Sequence, residues 1–260
     1  MNSEESQLLQ VRSAGGATLS IAYRFQKPKE NRPTFLWFCG YRSEMGGLKA
    51  EELARWTKDV GAGCLRFDYS GHGRSGGRFE DGTISAWLDE AAAVYSAALR
   101  PGDAAVFVGS SMGAWIALLL ARRLVREGMA LPKAMVLIAP AWDMTRLMWR
   151  RLPPAARAAV ERDGVFYRPS SYGDGPYPIT KKLIEDGDKH LFGEGPAPLD
   201  LPIRILHGRQ DPDVPWQHSL ELLDIIAGAD IRLTLIKDGE HRLSRPQDLA
   251  LLRAALTEFL

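Results

Sequence analysis

Short, unbroken apolar runs alternate along this chain with longer stretches in which apolar residues recur every three or four positions. The runs occupy 34–39, 64–67, 104–108, 134–138, 203–206 and 231–236. Several lack polar alternation, the pattern of strands in a parallel sheet covered by helices on both faces. Helical spacing is found at 47–60, 84–99, 112–127 and 217–227, and again from Asp248, where Leu249, Leu252, Leu256 and Phe259 form one stripe. Segments 8–12 and 18–24 alternate instead, and Gly15-Gly16 between them predicts a hairpin. Strands alternating with helices predict a doubly wound, mostly parallel α/β sheet with an antiparallel N-terminal hairpin, in a single domain over 1–260.

One interval breaks the rhythm. Roughly 141–199 shows no clear strand and is too long for a structureless connection in a compact domain. It holds Trp142, Met144, Leu147, Met148, Trp149 and Leu152, then Pro153-Pro154, Tyr167, Tyr172 and Tyr177. The expectation is an inserted helical cap. Trp142, Leu147, Met148 and Trp149 are the candidates for lining a substrate pocket, and Arg146, Arg150 and Arg151 lie among them.

Composition narrows the function classes. Hydrophobic residues make up 45% and charged residues 25%, the values of an ordinary globular chain. Lys and Arg number 33 against 32 Asp and Glu, a net charge of +1, so no positive field argues for nucleic acid or an anionic membrane. No apolar run has the length of a membrane span, and stable insertion is not expected. Two cysteines, Cys39 and Cys64, make neither a disulfide framework nor a zinc site. The acidic Met1-Asn2-Ser3-Glu4-Glu5-Ser6 start reads as neither signal nor transit peptide, so the expected location is cytoplasmic. Neither a cofactor nor a metal is expected, and the expected partner is a small-molecule or acylated substrate.

The chemistry concentrates on Gly109-Ser110-Ser111-Met112-Gly113, which follows an apolar run and opens a Leu/Ala-rich helical stretch. In that context G-x-S-x-G forms a tight turn that lifts a serine above the sheet, and glycines two before and two after avoid a collision. Ser111 is the candidate nucleophile, and the Met112 N–H a candidate donor to an oxyanion. Ser110 reads as a helix cap or polar filler. A serine needs a base, and the base an orienting carboxylate. Asp211 follows the 203–206 run and His241 follows 231–236, which would bring both to the sheet edge that carries Ser111. Asp213 is the rival acid, expected to point away from His241 if Pro212 turns the chain. His207 reads as packing for its turn, His72 as part of a glycine turn, His218 as a helix start and His190 as an exposed cap residue. Gly40 would let the next backbone approach substrate closely, making the Tyr41 N–H the second oxyanion candidate. Cys39 beside it reads as a small buried filler. Gly71-His72-Gly73-Arg74-Ser75-Gly76 matches G-x-G-x-x-G, but loop residues rather than a helix follow it, which argues against a dinucleotide site.

Three stretches together resemble the α/β-hydrolase superfamily: Phe67-Asp68-Tyr69-Ser70-Gly71-His72-Gly73-Arg74-Ser75, Gly109 through Trp115, and Leu206-His207-Gly208 through Asp211 to Trp216. Within it the chain is similar, from about Pro33 onward, to the mitochondrial palmitoyl-protein thioesterase branch that also has acyl-glucuronide esterase activity. The resemblance implies the α/β-hydrolase fold and a serine esterase or thioesterase with Ser111, Asp211 and His241 as its triad. The chain departs from the branch in two ways: no transit peptide is evident, as in a bacterial relative, and Ala114 stands where many hydrolases have glycine. Two other readings stay open, a different reaction on the same triad (peptidase or perhydrolase) and a non-catalytic ligand-binding protein on this fold.

Overall fold

The computed structural model describes residues 5–12, 16–169, 175–192 and 197–260. Gly15 of the expected hairpin turn, the Met1 to Glu4 start and Tyr172 of the cap lie outside the described residues.

Eight strands form the main sheet: β1 (Gln7–Arg12), β2 (Thr18–Gln26), β3 (Thr34–Phe38), β4 (Gly63–Phe67), β5 (Ala105–Ser110), β6 (Ala134–Ile138), β9 (Ile203–Gly208) and β10 (Ile231–Ile236). Their order is β1-β2-β4-β3-β5-β6-β9-β10. β1 pairs antiparallel with β2, and β2 antiparallel with β4. Every pairing from β4 to β10 is parallel. β3 to β6 and β9 are buried along their whole length, which is why they read as unbroken apolar runs. β10 alternates between half-buried and exposed at the edge, as a strand with one open face does.

Five helices pack on this sheet: α1 (Leu48–Val60), α2 (Ile84–Ala98), α3 (Met112–Arg126), α7 (Gln217–Ile225) and α8 (Pro246–Thr257). Each follows a helical pattern of the sequence to within about two residues. α3 is buried over most of its surface because it lies behind β5 at the centre of the sheet.

The interval after β6 holds α4 (Met144–Arg151), α5 (Pro154–Asp163) and α6 (Lys181–Gly187), as a helical cap would. It also holds two strands that the sequence pattern did not reveal, β7 (Val165–Arg168) and β8 (Tyr177–Thr180), paired antiparallel in a sheet of their own. Four-residue strands are too short to show alternation. Because β6 and β9 are parallel neighbours, the same interval must also carry the chain back to the opposite ends of the strands. α6 serves that return. Asp186 accepts from the Ser85 N–H at 2.8 Å, capping α2, and Arg122 of α3 donates to the His190 and Leu191 carbonyls at 3.0 Å. His190, expected to be exposed, is instead inside this joint, with Nε2 2.7 Å from the Ser85 hydroxyl.

Candidate active site

Ser111 occupies the turn between β5 and α3 with φ 54° and ψ −120°, a region that residues with a Cβ rarely enter. The surroundings compel it. The Ser111 N–H donates to the Ile138 carbonyl at 2.8 Å, and its carbonyl accepts from Ala114 at 3.0 Å and Ala141 at 3.2 Å. Both flanking glycines are needed, the first because its Cβ would strike the start of the helix, including the Gly113 carbonyl at 2.7 Å. A Cβ on Gly109 would lie 2.6 Å from the Ala114 Cα, and one on Gly113 would run into the Phe38 carbonyl. Elbow, helix and β3 are therefore pressed together without room for a methyl group.

Three side chains from three strand ends meet there. His241, on the loop after β10, places Nε2 3.1 Å from the Ser111 hydroxyl. Its Nδ1 lies 2.7 Å from Asp211 Oδ2. A carboxylate only accepts, so Nδ1 carries the proton and Nε2 is left to accept from the serine. The acid and histidine loops are tied directly, the Gln210 N–H donating to the Gly239 carbonyl at 2.9 Å.

Asp211 is held from every side. Its Oδ1 accepts the Asp213 and Val214 N–H groups, both at 2.8 Å, and His207 Nε2 stands 3.2 Å from Oδ2. Burial alone would raise its pKa, but the hydrogen bonds from His207 and His241 outweigh that and hold the carboxyl well below the usual carboxylate range. His207 therefore does more than pack its turn. Its spacing of four from Asp211 was the available signal.

Asp213 does not turn away as expected. It borders the cavity above Ser111, where its carboxylate meets Arg168 of β7 at 3.0 Å. Asp211, Asp213 and His241 offer atoms within 4.8 Å of one another, a spacing that would suit a cation. A metal there would compete with the N–H groups that already occupy Asp211.

On the opposite side of Ser111, Gly40 approaches so closely that a Cβ would lie 3.5 Å from the Ser111 Cβ. Tyr41 and Arg42 follow in a tight turn closed by the Ser43 N–H to the Gly40 carbonyl at 3.0 Å. Met112 opens α3, so its N–H has no acceptor within the helix. Both oxyanion candidates thus belong to backbone next to the serine, Tyr41 following Gly40 and Met112 following Ser111.

The cavity above Ser111 has a volume of about 170 Å³. Its apolar wall comes from Ala141, Met144, Leu147, Met148, Ile179 and Val214. Two of the four expected pocket residues, Leu147 and Met148, are there; Trp142 and Trp149 are not. Trp142 stacks on the His218 ring at 4.2 Å and donates to its carbonyl at 2.8 Å, pinning the cap base to α7. Trp149 packs against a small cluster of Leu152, Ala156, Val160 and Ile179, of which Ile179 alone reaches the cavity. Helical geometry explains the division: 144, 147, 148 and 151 share one face of α4, and 149 lies on another. Arg151 borders the cavity and donates to the Pro212 and Asp213 carbonyls, whereas Arg146 and Arg150 are exposed. Among the described residues, five cations line the cavity (Arg42, Lys49, Arg151, Arg168 and Arg242) against one carboxylate, Asp213.

A serine raised on a strand–helix elbow and joined to a histidine and an acid from two later strand ends defines a hydrolase class. The chain belongs to the alpha/beta hydrolase family, whose model matches residues 37–251. It is 33% identical over 237 residues to a human protein named palmitoyl-protein thioesterase ABHD10, mitochondrial, covering 90% of this chain and 74% of that one. Among solved structures it is similar to a putative hydrolase from Agrobacterium vitis S4, with a TM-score of 0.92, 42% identity and 98% of each chain covered. Mouse alpha/beta hydrolase domain-containing protein 10 superposes with a TM-score of 0.86 at 29% identity, over 98% of this chain and 97% of that one. Among the described residues, no helix is long and apolar enough to cross a membrane.

Proposed function

We propose that the protein is a serine hydrolase that cleaves carboxylic esters or thioesters through an acyl-enzyme. The observation that carries this reading is the continuous chain Ser111–His241–Asp211, at 3.1 Å and 2.7 Å. His241 Nε2 takes the Ser111 proton as the hydroxyl attacks the acyl carbon, and Asp211 keeps the imidazole in the required tautomer. The Tyr41 and Met112 N–H groups receive the negative oxygen of the tetrahedral intermediate. His241 then returns the proton to the departing alcohol or thiol. Water, deprotonated by the same nitrogen, releases the acid and restores Ser111.

The cavity supports a substrate class. Its apolar wall suits an acyl chain, and its five cations suit a substrate that also bears a carboxylate or another anion. The relatives named palmitoyl-protein thioesterases support the acyl-thioester alternative among these substrates. A fluorophosphonate probe tests the reading. It should label the wild-type protein once, at Ser111, and leave Ser111→Ala unlabelled. Absence of labelling in a folded protein would leave a non-catalytic binding role as the better account.

A further inference from the structure

The turn that offers the Tyr41 N–H is anchored at both ends, once to the body and once to the cap. On the body side, the Arg42 N–H donates to His72 Nε2 at 3.3 Å. His72 Nδ1 lies 3.1 Å from the Ser70 carbonyl, which can only accept, so Nδ1 carries the proton and Nε2 is the bare acceptor. The ring is locked edge-to-face among Tyr69, Phe79 and Trp87. On the cap side, the Tyr41 hydroxyl donates to the Pro178 carbonyl of β8 at 2.5 Å, and Arg42 Nη1 donates to the Pro176 carbonyl. The Arg42 guanidinium also stands 5.4 Å from the Tyr177 ring. Consecutive residues of the oxyanion turn thus hold two alternate carbonyls of the cap, those of Pro178 and Pro176.

Building on the serine-hydrolase reading, we propose that the Tyr41 side chain is a positioning residue. Through the Pro178 carbonyl it uses the seated cap to place its own backbone N–H over Ser111. The ring needs no hydroxyl to pack, since it meets Phe79 at 4.8 Å and Trp87 at 6.0 Å edge-on. Desolvation of the half-buried phenol raises its pKa, which keeps it protonated and a donor. Its distinct contribution is the tie to Pro178. A developing oxyanion rewards a donor only when that donor is already in place, and a displacement of a fraction of an ångström lowers the rate without altering ground-state binding.

Tyr41→Phe isolates the tie. Three quantities should be measured: kcat and KM on a short acetyl ester, and the Ki of phenylboronic acid, whose tetrahedral adduct with Ser111 places an oxygen in the oxyanion site. The coupling requires kcat and boronate affinity to fall together, by about tenfold, with KM held within about twofold. If kcat and Ki both equal wild type, the phenol is only packing and the proposal fails. A raised KM with unchanged kcat would also overturn it, because the tie would then serve substrate binding. Should the phenylalanine variant not fold, Arg42→Ala removes the neighbouring tie and must show the same paired loss on the acetyl ester. Ser111→Ala separates the two readings. If that variant stays active, the hydrolase mechanism and the coupling fall together; if it is inactive while Tyr41→Phe is unimpaired, only the coupling falls.

Discussion

Ser110 and Ser111 are chemically identical neighbours, and the turn alone gives them different fates. Ser111 meets the imidazole, whereas Ser110 ends β5. Ser111→Ala should therefore lower ester hydrolysis by roughly four orders of magnitude or more with its circular dichroism unchanged, and Ser110→Ala should cost far less. Equal losses in both would show that the elbow is misread. A second residue is marked by its environment rather than by the reaction. Glu90 of α2 is buried, and burial pushes its pKa up to about 7 although it accepts the Ser70 N–H at 2.8 Å. A carboxyl whose folded pKa lies above its unfolded value favours the fold at low pH. That benefit is lost as pH rises through about 7, where the fold must hold a buried charge. Glu90→Gln should thus stabilise the fold at pH 8 relative to wild type, by on the order of 3 kcal/mol at most, seen as a higher melting temperature, and by little at pH 5. A variant equally affected at both values would point to lost packing.

At the scale of elements, the cap separates lining from support. Met148→Ala should shift the preferred acyl length, by up to about 0.8 kcal/mol for each methylene that gains or loses burial, and leave an acetyl ester nearly untouched. Trp149→Ala should loosen the cluster around Leu152 and Val160, lowering stability more than it shifts chain-length preference, because that cluster reaches the cavity only through Ile179. A chain-length series on both variants, read beside their melting curves, decides this. The contrast shows what was legible in the sequence. The main-sheet strands stood out because burial on both faces removes polar alternation, and the elbow stood out because two glycines at fixed spacing have a steric cause. The α4 face at 144, 147, 148 and 151 was also there to be read, but tryptophan's size drew attention to 142 and 149 instead. β7 and β8 were hidden by their length. Asp213's turn toward the cavity depends on Arg168, a residue 45 positions away that local spacing does not reveal.

Over the whole molecule the charges nearly cancel, at +1, yet the cavity gathers cations. The field is local. Esters carrying a carboxylate should react faster than neutral ones of equal length, and this advantage should shrink as salt screens it. Lys49 in that wall donates to the Arg242 carbonyl beside His241, and burial lowers its pKa to about 8. The preference should therefore decline as pH rises past about 8, and Lys49→Met should remove that decline. A ratio of kcat/KM values for anionic and neutral esters, followed across pH and salt, checks both statements. An unchanged ratio would mean that the cations serve structure alone.

The backbone angles of Ser111 carry a consequence for how such proteins drift over generations. A non-glycine residue held in that region costs about 1–3 kcal/mol, a sizeable part of the 5–15 kcal/mol that keeps a domain folded. Glycine sits there without strain, so Ser111→Gly should melt above Ser111→Ala even though glycine usually weakens a fold. Inactivation at this codon is then thermodynamically downhill. On the serine-hydrolase reading, selection for turnover keeps the serine in place, and lineages freed from that selection should accumulate glycine there before other elbow residues change.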